Sequence, residues 1–138
     1  MCLSIRAGIT LFRELPASAS REVLLWTDLH AGNVLAAQRE PWLAIDPKPL
    51  AGDPGFELLP ALRNRWDEAL ASGDPARATR YRFDLMVDVV GLDHDRALGW
   101  TLGRVLQDCL WDVEDGEVAL NPIQVAIASA LSGLSTED

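Results

Sequence analysis

The spacing of apolar positions changes character after Gly55. Before it, apolar residues come in short runs of strand length: "VLLW" (23–26), "NVLAA" (33–37) and "WLAID" (42–46). The polar turn "QREP" separates the last two, so they predict a β-hairpin preceded by a lone strand. Upstream, residues 2–14 predict a helix stopped by Pro16, and "PASAS" (16–20) a loop of turn formers. "PKPLAGDPG" (47–55) has three prolines and two glycines and predicts loop throughout. After Gly55 the period becomes helical. A first helix is expected over 57–71, weakened near its start by Pro60. A second opens with Asp74 as N-cap and Pro75 at the first helical position and stops at Gly91, with Ala78, Tyr81, Leu85 and Val89 as its recurring apolar positions. A third runs from near Asp93 to just before Gly116 and carries Leu98, Leu102, Val105, Leu106 and Cys109 on one face. A fourth opens with Asn121 and Pro122 and closes at Gly133, leaving "STED" as a fraying tail. The expected fold is mainly α with a small β-hairpin.

Length adds that 138 residues suffice for one hydrophobic core, so the chain reads as a single domain over 1–138. No window approaches the uninterrupted apolar length of a membrane span. "MCLSIRAGITLFREL" carries Arg6 and Arg13 inside its apolar stretch, unlike a secretory signal. Cys2 and Cys109 have no metal-ligand spacing and read as two free thiols in a reducing cytoplasm. The net charge of −9, from 21 acids against 12 bases, argues against nucleic acid or anionic membrane as partner. An acidic field suits metal ions or a polycationic substrate, although solubility alone would also account for it. Lys48 is the only lysine; the other eleven bases are arginines.

The polar residues worth most are Asp28, Asn33 and Asp46, within "TDLHAGNVLAAQREPWLAIDPKP" (27–49). Singly, each is an ordinary turn former at a strand end, and His30 alone reads as a structural histidine. Together they fit phosphoryl transfer. That chemistry uses a carboxylate to accept the acceptor hydroxyl's proton, an Asn five positions later on one magnesium, and an Asp after the next hairpin on the bridging magnesium. D-x-x-x-x-N is the catalytic-loop spacing of protein-kinase-like enzymes, and the hard oxygen donors suit magnesium.

"DLHAGNVL" followed by "WLAIDPKPLAGDPGF" closely resembles the aminoglycoside/hydroxyurea antibiotic-resistance kinase family. Within it the chain is most similar to the streptomycin 6-kinase and hydroxyurea phosphotransferase branch, and "LDHDRALGWTLGRVLQDCLWDVEDG" resembles that branch's C-terminal helices. The resemblance implies an ATP- and Mg2+-dependent transferase in the cytoplasm that phosphorylates a small-molecule acceptor. Asp28 would be the catalytic base, Asn33 and Asp46 the magnesium ligands, and His30 and Glu57 supports of the catalytic loop. Segment 23–49 would then be the catalytic loop and metal hairpin, 47–56 a loop, and 57–134 a helical subdomain. Two departures stand out. Trp26-Thr27 occupy the place of the family's usual His-Gly, which would change how the Asp28 loop is braced. Glu57 stands where many relatives have Asp, which is expected to loosen a tether to that loop.

A kinase of this class has a second, N-terminal lobe with a phosphate-covering loop and a phosphate-pairing lysine. Neither G-x-G-x-x-G nor G-x-x-x-x-G-K-[ST] occurs here, and Lys48 lies just after Asp46. The expectation is therefore a protein-kinase-like C-terminal lobe lacking the N-terminal lobe: a fragment, a truncated gene product, or a frame read from an internal Met. Such a lobe should expose an apolar docking face. "WDVEDGE" (111–117) supplies candidates for holding a cationic aminoglycoside: Trp111, Asp112, Glu114, Asp115 and Glu117. A solvated helix end is the plainer reading of the same acids, and a small neutral acceptor would leave them without that task. Two other readings stay open, a catalytically inactive helical interaction module derived from such a kinase, and a metal-dependent hydrolase using the same carboxylates.

Overall fold

The computed structural model describes Thr10 and residues 13–18 and 21–133. The expectations for residues 2–9, for Cys2 and for the 134–138 tail lie outside the described residues. Residues 13–17 are helical and continue past Pro16, which therefore does not stop the helix. The turn closes instead at Ser18, whose N–H and hydroxyl both donate to the Glu14 carbonyl, at 3.0 and 2.7 Å.

Four three-residue strands follow: β1 (Val23–Leu25), β2 (Val34–Ala36), β3 (Trp42–Ala44) and β4 (Leu50–Gly52). The β2–β3 pair is the expected hairpin, antiparallel with Leu35 opposite Leu43. β4 was expected to be loop. It is the antiparallel partner of β1, with Leu24 opposite Ala51. Pro47, Pro49 and Pro54 flank the strand rather than interrupt it, so no ladder N–H is lost.

Five helices make the body: α1 (Leu58–Arg63), α2 (Trp66–Ala71), α3 (Pro75–Val90), α4 (His94–Glu114) and α5 (Pro122–Ser132). The single helix expected over 57–71 is two short ones. Asn64 is extended and Arg65 is left-handed at φ 52, which ends α1 and restarts the chain as α2. Pro60 sits in the first turn of α1, where its absent N–H costs nothing. Arg82 on α3 holds the break by donating to the carbonyls of Asn64 and Arg65, at 3.0 and 3.4 Å. The other boundaries fall where expected. Asp74, Asp93 and Asn121 cap α3, α4 and α5 with side-chain oxygens, and Gly91 and Gly133 adopt the left-handed C-cap.

The core is built from Leu58, Leu59 and Leu62 of α1, Phe83 and Val87 of α3, Ala97, Leu102 and Val105 of α4, and Ile127 and Ala128 of α5. Leu98 and Cys109 pack against it as expected. On α3 the buried stripe differs from the expected one. Thr79, Phe83 and Val87 face inward, while Tyr81 and Val89 are 68% and 77% exposed. Both stripes recur at helical spacing, but Phe83 has no hydroxyl to satisfy, unlike Tyr81, and Thr79 satisfies its own by donating to the Pro75 carbonyl at 2.8 Å. Gly55, in the 3-10 turn Pro54–Glu57, lets that turn lie against α4; a Cβ there would come within 3.2 Å of the Ala97 backbone and 3.1 Å of the Trp100 ring. The strands carry exposed apolar residues, including Leu24 at 81% and Trp42 at 68%.

The α3 assignment is tested by unfolding in urea. Phe83→Ala should destabilise by about 3–5 kcal/mol, the range for emptying a buried aromatic site. Val89→Ala should stay within about 0.5 kcal/mol of the unsubstituted chain, as surface changes do. The reverse order would restore the Ala78–Tyr81–Leu85–Val89 face as the core.

Candidate active site

β1 ends at buried Leu25 and delivers Trp26, Thr27 and Asp28 toward the segment that leaves β3. Both sides bend through left-handed residues, Thr27 at φ 62 and Asp46 at φ 54. For a β-branched residue such a φ is an outlier costing roughly 1–3 kcal/mol. Thr27 is held there by bonds to every polar group it has. Its N–H donates to Glu57 Oε1 at 2.6 Å and its hydroxyl to the Lys48 carbonyl at 2.5 Å. Its carbonyl accepts from Arg104 Nη2 at 2.7 Å. Arg104 also donates to the Phe56 carbonyl at 2.8 Å and lies 4.3 Å over the Phe56 ring. The expectation that Glu57 would loosen the tether is thus corrected: the longer side chain makes the tether. The two segments are further joined by Trp26 Nε1 donating to the Ile45 carbonyl and by the Lys48 N–H donating to the Trp26 carbonyl, both at 3.1 Å.

Asp28 follows directly, and its Oδ2 accepts from Lys48 Nζ at 2.9 Å. That bond holds the Asp28 carboxyl below the ordinary carboxylate range. Partial burial works against the shift, and the charges of Lys48, His30 and Arg104 reinforce it. His30 lies in the same loop. Its Nδ1 accepts the Gly32 N–H at 3.1 Å and caps the 3-10 turn Ala31–Asn33, while Nε2 stands 3.9 Å from Asp28 Oδ1. Asn64, at the α1–α2 break, accepts the Ala31 N–H at 3.2 Å and ties the same turn to the helical body.

Asn33 is buried, and its Nδ2 donates to the Asp28 carbonyl at 3.0 Å. With the amide nitrogen committed, the amide oxygen remains as its acceptor. The Asn33 carbonyl accepts the Ile45 N–H at 2.8 Å, which brings the chain one residue short of Asp46. Asp46 is exposed and close enough to Lys48 to raise the lysine's pKa, after the larger effect of Asp28. Among the described residues no three His, Cys, Asp or Glu side chains converge on a metal position. An amide oxygen and one carboxylate do suit magnesium, which keeps waters and takes phosphate oxygens alongside few protein ligands.

Asp28 and Lys48 open onto a cavity of about 820 Å³ whose far wall is α4, with Arg104, Gln107, Asp108 and Trp111. Arg63 also lines it, paired to Asp108 at 3.1 Å. Gln124 Nε2 donates to the same Asp108 oxygen at 3.2 Å. Burial pushes the Asp108 carboxyl up, against the lowering influence of Arg63 and Arg104. Of the acidic stretch expected to bind substrate, only Trp111 lines this cavity; Asp112, Glu114, Asp115 and Glu117 do not, and the last three are exposed. Arg104, Gln107 and Asp108, which share that wall with Trp111, were missed. Their spacing of three and four marks one polar helix stripe, a signal obscured by the apolar residues between them.

The chain matches the sequence profile described as aminoglycoside/hydroxyurea antibiotic resistance kinase over residues 3–116. It is 60% identical over 120 residues to a streptomycin 6-kinase from Streptomyces glaucescens, covering 87% of this chain and 39% of that protein. It is 53% identical over 128 residues to the streptomycin 6-kinase of Streptomyces griseus, covering 93% and 41%. A hydroxyurea phosphotransferase from Kitasatospora aureofaciens is 61% identical over 120 residues, covering 87% and 33%. The chain therefore spans well under half the length of these relatives. No solved structure matches it significantly.

The Lys48–Asp28 bond predicts a pH dependence. A carboxyl depressed in the folded state adds stability above its unfolded pKa of about 3.9, and loses it as pH falls through the folded value. Lys48→Met should raise the Asp28 midpoint measured by carboxyl NMR titration. It should also cost stability at pH 7 that disappears once both states are protonated. An unchanged midpoint would mean that the bond does not exist in solution.

Proposed function

The chain belongs to the aminoglycoside/hydroxyurea antibiotic resistance kinase family, and on that premise we propose that it forms the protein-kinase-like C-terminal lobe of a small-molecule phosphotransferase. In this reading the γ-phosphoryl group of ATP passes to a hydroxyl or similar group of an acceptor held in the α4 cavity. Asp28 is the base, and Asn33 and Asp46 would hold Mg2+ through hard oxygen donors. When bound, that ion neutralises charge on the β- and γ-phosphates. The acceptor oxygen forms the new P–O bond as the bond between the γ-phosphorus and the bridging oxygen breaks. ADP departs with the bond pair, and the acceptor proton goes to Asp28.

The observation carrying this reading is the placement of Asp28: an ionised carboxylate at the mouth of a cavity, on a loop whose backbone is bonded to Glu57, Arg104 and Lys48. Catalysis of this kind is mostly positioning and charge stabilisation, and those bonds provide the positioning. The cavity wall has two carboxylates, Asp28 and Asp108, against three cations, Lys48, Arg63 and Arg104. That balance favours a neutral reacting group beside the phosphate. A cationic aminoglycoside would exchange for Arg63 at Asp108 or lean on the carboxylates of 112–117. The exposed Leu24, Leu35, Trp42, Ile45 and Leu50 around the strands offer a docking face for an N-terminal lobe.

In an enzyme of the relatives' full length carrying this segment, Asp28→Asn should lower transfer by about 10²–10⁴-fold, the usual worth of a general base. Its affinity for magnesium–ATP should be nearly unchanged. Asp46→Asn should weaken that affinity as well as turnover. Equal losses of nucleotide affinity in the two variants would show the roles to be misassigned. The 138 residues alone should give no steady ATP turnover with streptomycin or hydroxyurea, since this sequence holds no phosphate-covering glycine loop. Turnover that vanishes in Asp28→Asn would place the nucleotide on some other surface of this chain.

A further inference from the structure

Lys48 sits between Pro47 and Pro49, whose rings restrict both their own backbone and that of the residue preceding each. Its three polar groups each meet a different, consecutive residue of the loop opposite. The N–H donates to the Trp26 carbonyl at 3.1 Å, the carbonyl accepts the Thr27 hydroxyl at 2.5 Å, and Nζ donates to Asp28 Oδ2 at 2.9 Å. The side chain remains 68% exposed. Fixing a long side chain loses rotamer entropy, and an exposed ion pair returns little. Stability is therefore a poor reason for the chain's one lysine to be held here.

Three cations line the cavity beside Asp28, and two are already committed. Arg104 is bonded to the carbonyls of Thr27 and Phe56 and stacked on the Phe56 ring. Arg63 is paired with Asp108. Lys48 has three N–H donors with one in use, and an ammonium is a compact point charge suited to phosphate oxygens. We propose that Lys48 is an anion-binding residue of this site, fixing the Asp28 carboxylate with one N–H and offering the others to the phosphoryl group being transferred. Naming the anion as a phosphoryl group rests on the kinase reading above; the anion site itself rests on the geometry.

Because Lys48 is the only lysine, acetylation with an amine-specific ester followed by mass spectrometry reads it directly, with the α-amino group as internal reference. On the unsubstituted 138-residue chain, inorganic triphosphate should slow Lys48 acetylation several-fold and saturably, with sodium sulfate at matched ionic strength as control. The α-amino rate should not follow. In Asp28→Asn, acetylation without triphosphate should be faster than in the unsubstituted chain. No protection by triphosphate overturns the proposal even if Asp28→Asn accelerates the reaction, because Lys48 would then be only a counter-ion. Protection needs no variant and so does not depend on how Asp28→Asn folds. Protection together with absent phosphoryl transfer in a full-length enzyme would keep the Lys48 site and remove the kinase reading.

Discussion

Thr27 stands at φ 62 with its N–H on the Glu57 carboxylate, its hydroxyl on the Lys48 carbonyl and its carbonyl on the Arg104 guanidinium. Glycine would take this conformation without a steric cost. Threonine pays that cost but brings a hydroxyl, and the hydroxyl closes the gap to the segment after Asp46. Release of those three bonds would free the backbone to relax out of the left-handed region. Asp28, the next residue, would turn with it. The direction of the candidate base therefore depends on a strained residue and on the bonds that hold it.

The same dependence reaches into the helical body. Glu57 lies at the end of the 3-10 turn that packs on α4 through Gly55, and Arg104 is on α4 itself. Asn64 reaches Ala31 from the break between α1 and α2, a break that Arg82 of α3 holds from the other side. The core of Leu59, Leu62, Phe83 and Ile127 fixes these helices against one another. Packing thereby becomes precision at the loop, because groups bonded to Thr27 and Ala31 cannot shift without disturbing buried side chains. The distant helices act as the loop's scaffold.

Much of this was legible in the sequence where the signal is local. Asp74-Pro75, Asn121-Pro122, Gly91 and Gly133 marked helix ends because caps act within a few residues. The "QREP" turn marked the hairpin, and the spacing from Asp28 to Asn33 marked the candidate site. What escaped depends on distant partners. β4 is a strand only because β1 lies beside it, and its prolines spoke for loop. The kink at Asn64-Arg65 needs Arg82 and Ala31. Phe83 outcompeted the Tyr81–Val89 stripe through packing that periodicity alone does not rank. Glu57 was read as a weaker substitute for Asp, although its carboxylate accepts the Thr27 N–H at 2.6 Å. Lys48 was noticed as the only lysine, but its bond to Asp28 crosses a gap that only the folded loops define.

The central claim is that Asp28, Asn33 and Asp46 form one corner suited to a divalent cation and a phosphate, held by the clasp between residues 26–28 and 45–48. Paramagnetic broadening tests it most directly. Substoichiometric Mn2+ with ATP is added to the 15N-labelled chain, and the loss of each amide signal is followed. The account predicts that signals of residues 28–33, 44–46 and 48 fade first, and that Asp46→Asn removes the effect there. Broadening centred instead on the acidic stretch 112–117, unchanged in Asp46→Asn, would contradict it.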